Sequence, residues 1–175
     1  MTDTPATTDG GAAATLDAHP LVVLLRGSYP YAVMHAETAA DGMLTVTIRR
    51  DAIAAACHLL RDHPEARFEL CSDVVGVDML GQEPRFCVVY HLASLAHNAW
   101  LRLKVGVPSH DAVLPSVTEV WSGANYPERE IFDLFGIRFT GHPNLTRILM
   151  PDDWEGYPLR KDYPMSGKTP WTPTY

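Results

Sequence analysis

The sequence contains no hydrophobic run long enough to cross a membrane. Its longest, "LVVLL" at 21–25, falls far short of the ~20 residues that a bilayer-spanning helix needs. The N-terminus, "MTDTPATTDGGAAATLD", has acidic residues and no basic n-region, so it does not read as a secretory signal and the chain is expected to stay in the cytoplasm. Cysteine is scarce. Cys57, Cys71 and Cys87 are widely spaced and form no CxxC pair, which speaks against zinc or iron–sulfur ligation and for small buried hydrophobes in a reduced compartment. Positive charge is also in deficit: 14 Lys and Arg against 21 Asp and Glu give a formal net charge of −7. That balance argues against phosphate-backbone binding, and no nucleic-acid partner is expected. Nucleophile elbows, phosphate loops, dinucleotide fingerprints and HExxH motifs are all missing.

What is present fits one ordinary domain with trimmings. A chain of 175 residues, 46% hydrophobic and 20% charged, is long enough to bury a real core. Residues 1–14 hold almost nothing to bury and read as a flexible N-terminal tail. A short helix is expected over about 15–26, with Pro20 confining it or resetting its start. "YAVMHAE" and "MLTVTIRR" read as a hairpin, because Leu44, Val46 and Ile48 alternate with Thr45, Thr47 and Arg49, the period-2 pattern of a half-buried strand. Over 51–64 the pattern is helical, with Asp51 as cap, Ile53, Ala56, Cys57 and Leu60 as apolar stripe, and His58 and His63 at its edge. Two or three strands follow in the strand-like stretches "FELCSDVVGVDM", part of which is also compatible with helix, "RFCVVYHLASL" and "AWLRLKVGVP", joined by turns short enough for a meander. Asp73 and Asp78 read there as solvated residues.

"SVTEVW" and "ANYPERE" each suggest a helix start. Asn125 and Glu128 have capping-box spacing, Pro127 suits a first turn, and Gly136 can stop the helix in a left-handed conformation. The fold class is therefore α+β: a small, mostly antiparallel sheet with helices packed on it over 15–136, followed by a long extended segment over 137–175. That segment has many prolines and no sustained periodicity, yet keeps Phe139, Leu145, Ile148, Leu149, Met150, Trp154, Leu159, Tyr163 and Trp171. So many large apolar side chains belong in grooves, on this domain or on a partner.

"EREIFDLFG" at 128–136 admits three readings. Arg129 and Asp133 are i,i+4 neighbours on an amphipathic helix, with Glu128 beside its apolar face and Glu130 outside. Alternatively, Glu128 or Glu130 acts as general base or metal ligand with His142, with Arg129 or Arg147 as clamp. The third reading is charge pairing across a buried contact. "PLRKDYP" suits that one: Pro158 and Pro164 bracket an extended strand that presents Arg160, Lys161 and Asp162 in alternating directions beside Leu159 and Tyr163.

Residues 128–164, "EREIFDLFGIRFTGHPNLTRILMPDDWEGYPLRKDYP", resemble the signature region of the C-type subunit of respiratory NADH–quinone oxidoreductase (complex I). Upstream, "GVDM", "FCVVYHLASL", "LRLKVGVP" and "SVTEVWSGANYPERE" are similar to that family too. The resemblance implies a hydrophilic peripheral-arm subunit with no active site of its own, in a complex that moves electrons from NADH to quinone and pumps protons. It implies no cofactor on this chain: NADH, FMN, iron–sulfur clusters and quinone are bound by other subunits. The implied partners are the subunit bordering the quinone cavity and the subunit carrying the terminal cluster, with membrane contact only through the complex, on the cytoplasmic side. Glu128, Arg129, Glu130, Asp133, His142, Arg147, Arg160, Lys161, Asp162 and Tyr163 become structural and interface residues. Thr146 stands where many members carry a basic residue. Related subunits occur in NAD(P)H–plastoquinone complexes, membrane-bound hydrogenases and F420-type dehydrogenases, which keeps the electron donor open, and an autonomous metal-dependent enzyme using Glu128, Glu130 and His142 remains the rival of another class.

Overall fold

Pro20 sets where the first helix begins. Its missing N–H and fixed φ suit a first turn, and α1 runs Pro20–Ser28 with the His19 ring nitrogen accepting from the Leu21 N–H at 3.2 Å. The computed structural model describes residues 16–166; the N-terminal tail read over 1–14 lies outside the described residues, as does the end of the C-terminal segment with Trp171. Val22 and Leu25 are the buried side of α1. A hairpin follows, β1 Val33–Thr38 antiparallel to β2 Leu44–Ile48. Leu44, Val46 and Ile48 enter the core as their alternation predicts, but Thr45 is also buried, at 1% exposure. In register with it lie Glu37 on one side and Arg102 on the other, long side chains whose stems cover a short neighbour.

The second helix, α2 at Ile53–Asp62, grows out of a 3-10 turn over Arg50–Ala52. Asp51 does not cap it, contrary to the sequence reading. Its carboxylate is taken by Arg49 at 2.7 Å, and no side chain caps the helix. The apolar stripe is as read: Ile53, Ala56, Cys57 and Leu60 are all fully buried. His58 lies 3.4 Å from Arg61 and His63 accepts the Glu65 N–H.

The meander is strand throughout: β3 Leu70–Asp78, β4 Phe86–Ser94 and β5 Ala99–Val107. β5 then docks parallel to β2, giving a five-stranded sheet in the order β1-β2-β5-β4-β3. One parallel pairing makes the sheet mixed, and three antiparallel ones keep it mostly antiparallel. The α+β class stands.

After β5 come a short strand, β6 Val113–Pro115, a turn at 117–121, a 3-10 turn Ser122–Ala124, α3 Asn125–Phe135 and β7 Arg138–Thr140. "SVTEVW" is thus a turn and no helix. β7 returns parallel to β6, as a strand–helix–strand crossover requires. α3 crosses β3 at Gly76, where a Cβ would lie 2.9 Å from the Phe135 ring. Only glycine permits that approach. Gly136 ends α3 at φ +73, as the sequence suggests.

Candidate functional site

The lead-in to α3 decides where Glu128 points. Residues 122–124 are already helical in φ and ψ, so Asn125 sits inside the helix and caps nothing. The capping box read from the spacing does not form. The Glu128 carboxylate turns sideways, accepting the Ser116 hydroxyl at 2.6 Å and the Val117 N–H at 2.7 Å. It is fully buried and forms no ion pair among the described residues. Tyr90, Cys57 and Cys71 lie around it, and burial raises the pKa of all three, Cys71 to about 12. All are neutral near pH 7 and supply no countercharge, so burial pushes Glu128 up to about 7 against the pull of its Ser116 and Val117 bonds.

One turn on, Asp133 is equally buried but richly paired. One oxygen takes Arg147 Nη1 at 2.7 Å, and the other accepts three successive backbone N–H groups, Ile148 at 3.1, Leu149 at 2.8 and Met150 at 2.9 Å. Burial alone would raise its pKa; the three amides and Arg147 outweigh it and hold the carboxyl below the usual aspartate value. Arg129 does not pair with Asp133, as the i,i+4 spacing had suggested. Its guanidinium reaches across to the Thr146 carbonyl and hydroxyl at 3.1 and 2.9 Å and to the Arg147 carbonyl. Thr146 therefore serves as acceptor for Arg129. The His142 Nδ1 accepts the Asn144 N–H, which leaves its Nε2 to donate to the Asn125 carbonyl at 3.2 Å. Glu130 is exposed.

A third carboxylate, Asp78, is buried, whereas the sequence reading had left it solvated. Arg85 clasps it through two bonds of 2.9 and 2.8 Å and clasps Asp162 through two more of 2.9 and 2.7 Å. Asp78 also accepts the Lys161 N–H. Arg85 lowers the pKa of both aspartates, and they raise its own. A signal for Asp78 existed: it follows Val74 and Gly76 on alternate positions of β3, the register of the core face. Arg85 carried no such mark, because its partner Asp162 lies 77 residues away in sequence.

"PLRKDYP" is not an extended strand. Arg160 N–H bonds the Tyr157 carbonyl and Tyr163 N–H bonds the Arg160 carbonyl, two consecutive turns that send the side chains in unrelated directions. Arg160 runs inward, donating from Nε to the Phe135 carbonyl at 2.6 Å, over Tyr157 and Phe86. Tyr163 donates to the Glu155 carbonyl and stacks on Trp154, while the Lys161 side chain is exposed. Gly156, Tyr157, Arg160, Asp162 and Tyr163 line a cleft of about 240 Å³.

Such an arrangement holds a segment in place more readily than it moves protons. Glu128, Glu130 and His142 do not converge: one faces the core, one faces solvent, and both ring nitrogens of the third are engaged. Among the described residues no three His, Cys, Asp or Glu side chains are placed to hold a metal ion, and no helix is long and apolar enough to cross a membrane.

A family model described as "Respiratory-chain NADH dehydrogenase, 30 Kd subunit" matches residues 46–169. The C-type subunit of NADH-quinone oxidoreductase from Roseiflexus sp. (strain RS-1) is 51% identical over 154 residues, 87% of each chain. Its counterpart in Geobacter sulfurreducens is 50% identical over 127 residues, 72% of this chain and 77% of that one. Among solved structures, the trypsin-resistant fragment of Nqo5 superposes with a TM-score of 0.55 at 38% identity, over 63% of this chain and 88% of that one. A chain from the membrane-bound sulfane sulfur reductase, an archaeal respiratory membrane complex, gives 0.69 at 26% identity, over 83% and 84%.

Proposed function

This chain belongs to the respiratory-chain NADH dehydrogenase 30 Kd subunit family, and we propose that it is a non-catalytic assembly subunit in the peripheral arm of a proton-pumping NADH–quinone oxidoreductase. On this reading it contributes to electron transfer from NADH to quinone only as part of the complex. Flavin, clusters and quinone sit on other subunits, and the chain associates with the membrane from the cytoplasmic side. The quinone-cavity and terminal-cluster subunits are its proposed neighbours, met chiefly through residues 137–175.

One observation carries the proposal. The segment after α3 is tied to its own domain through Asp133–Arg147, Asp78–Arg85–Asp162 and Arg129–Thr146. Turned outward are Leu149, Leu159, Glu130 and Lys161, both leucines more than half exposed. A shaped surface that mixes apolar anchors with free charges suits a protein contact. Lys161→Glu is the clean probe, since its side chain makes no hydrogen bond or ion pair among the described residues. In a pull-down from native membranes the variant is expected to lose co-purifying peripheral-arm subunits while the melting temperature of the isolated chain holds. Full retention of those subunits would refute the docking role of this surface.

The likeness to a chain of the sulfane sulfur reductase supports a second reading, the equivalent subunit of a related membrane complex. The subunits recovered in the same pull-down separate the two, because only the first includes an NADH-binding flavoprotein.

A further inference from the structure

Three arginines lie between the domain and the C-terminal segment, Arg85 from the domain and Arg147 and Arg160 from the segment, and two of them are neutralised. Arg85 holds two carboxylates and Arg147 holds Asp133. Arg160 is different: the only hydrogen bond of its side chain among the described residues is from Nε to the Phe135 carbonyl, and its Nη1 and Nη2 donate to nothing there. The guanidinium is nonetheless fixed. It stands 4.5 Å over the Tyr157 ring and 5.0 Å over Phe86. Gly136 makes room for it, since a Cβ there would lie 2.8 Å from its Nη2.

Burial, and then the charge of Arg85, pull the Arg160 pKa below the usual arginine value and outweigh the opposing pull of Tyr157, Asp162 and Asp78. Asp162 shares the cleft, but both its oxygens are held by Arg85. A cleft of about 240 Å³ is smaller than the roughly 300 Å³ at which small-molecule sites begin, and one side chain fits it. The walls suit a single carboxylate on an aliphatic stem: tyrosine rings for the stem and a planar fork for the head. With the fork already immobilised, little side-chain entropy is lost on pairing.

We propose that Arg160 receives an Asp or Glu side chain of a neighbouring subunit, inserted between Tyr157 and Tyr163. The inference rests on the subunit role proposed above. Arg160→Lys in the purified complex places an amine in the cleft, and a zero-length carbodiimide joins it to any carboxylate in contact. Mass spectrometry of the digest is expected to find position 160 coupled to an acidic residue of another subunit. Arg160→Met should weaken retention of the subunit in the complex about 10-fold or more relative to Arg160→Lys, as expected when one member of a desolvated pair is deleted. Coupling from position 160 only to Asp78, Glu155 or Asp162 of the same chain would overturn the proposal, and so would no coupling at all. Lys161 is the internal control: if it couples to another subunit while position 160 does not, this inference fails and the subunit role stands. If the chain co-purifies with no other subunit, the wider reading has failed.

Discussion

Glu128→Gln should make this protein more stable, and only above a definite pH. The side chain is fully buried and its two hydrogen bonds come from neutral donors, Ser116 and Val117. The titratable groups packed around it, Cys57 from α2, Cys71 from β3 and Tyr90 from β4, all have raised pKa values. Burial takes Glu128 from 4.5 to about 7. Below pH 4.5 the group is protonated folded and unfolded alike. Between 4.5 and 7 the unfolded chain gives up the proton while the folded chain keeps it, so stability falls as pH rises. At about 1.4 kcal/mol per pKa unit the full penalty is about 3 kcal/mol, complete just above pH 7. Glutamine keeps the shape and an acceptor for the Val117 N–H without ionising. Urea unfolding of both proteins from pH 4.5 to 8 should therefore give curves that agree within about 1 kcal/mol at the acid end and separate towards 3 in favour of the variant at pH 8. A variant less stable than the parent at pH 8 would refute the reasoning, because it would mean the carboxylate is welcome in its site as an ion.

Asp133→Ala removes the acceptor of three backbone N–H groups and the partner of Arg147. Stranding a paired, buried charge costs about 3–5 kcal/mol, and denaturation should show it together with faster proteolysis around 147–150; a loss under about 1 kcal/mol would refute the assignment. Gly136→Ala forces a side chain into φ +73 and its methyl into the Tyr157 ring. Gly42→Ala, at φ +80 with nothing near it, carries only the conformational cost of about 1–2 kcal/mol. The first should exceed the second in urea unfolding; equal losses would mean that Tyr157 and Arg160 are not seated against Gly136.

Periodicity and punctuation carried the domain. The hairpin, α2 with its stripe and the meander are all legible, because each depends on side chains a few residues apart. The same locality explains the errors. Asp51 and Asn125 have cap-like spacing, yet each helix is entered through a 3-10 turn that supplies its own first bonds. Arg129 and Asp133 have pairing spacing, yet both find better partners on a segment 14 to 18 residues away. The parallel β2–β5 pairing links residues more than fifty apart, and no local pattern announces it. Family resemblance singled out the charges at 128–133, 142, 147 and 160–162 but not which way they point.

Direction is what the fold adds to "EREIFDLF". A helix that crosses a sheet at a glycine must sit close to it, and closeness turns successive residues towards different surroundings at about 100° each. Glu128 and Asp133 face inward, Arg129 faces the returning segment, and Glu130 faces solvent. The inward carboxylates differ in one respect only: Asp133 meets amides and an arginine that the segment brings, while Glu128 meets neutral groups of the domain itself. The pairing of Asp133 therefore depends on the segment being in place, and that of Glu128 does not. If a partner subunit pulled residues 146–150 away, Asp133 would be left as a buried, unpaired ion, at a cost of about 3–5 kcal/mol, a large share of an ordinary domain's stability. Assembly that respects this cost must take the segment as the domain presents it, and recognition then falls to the residues facing out.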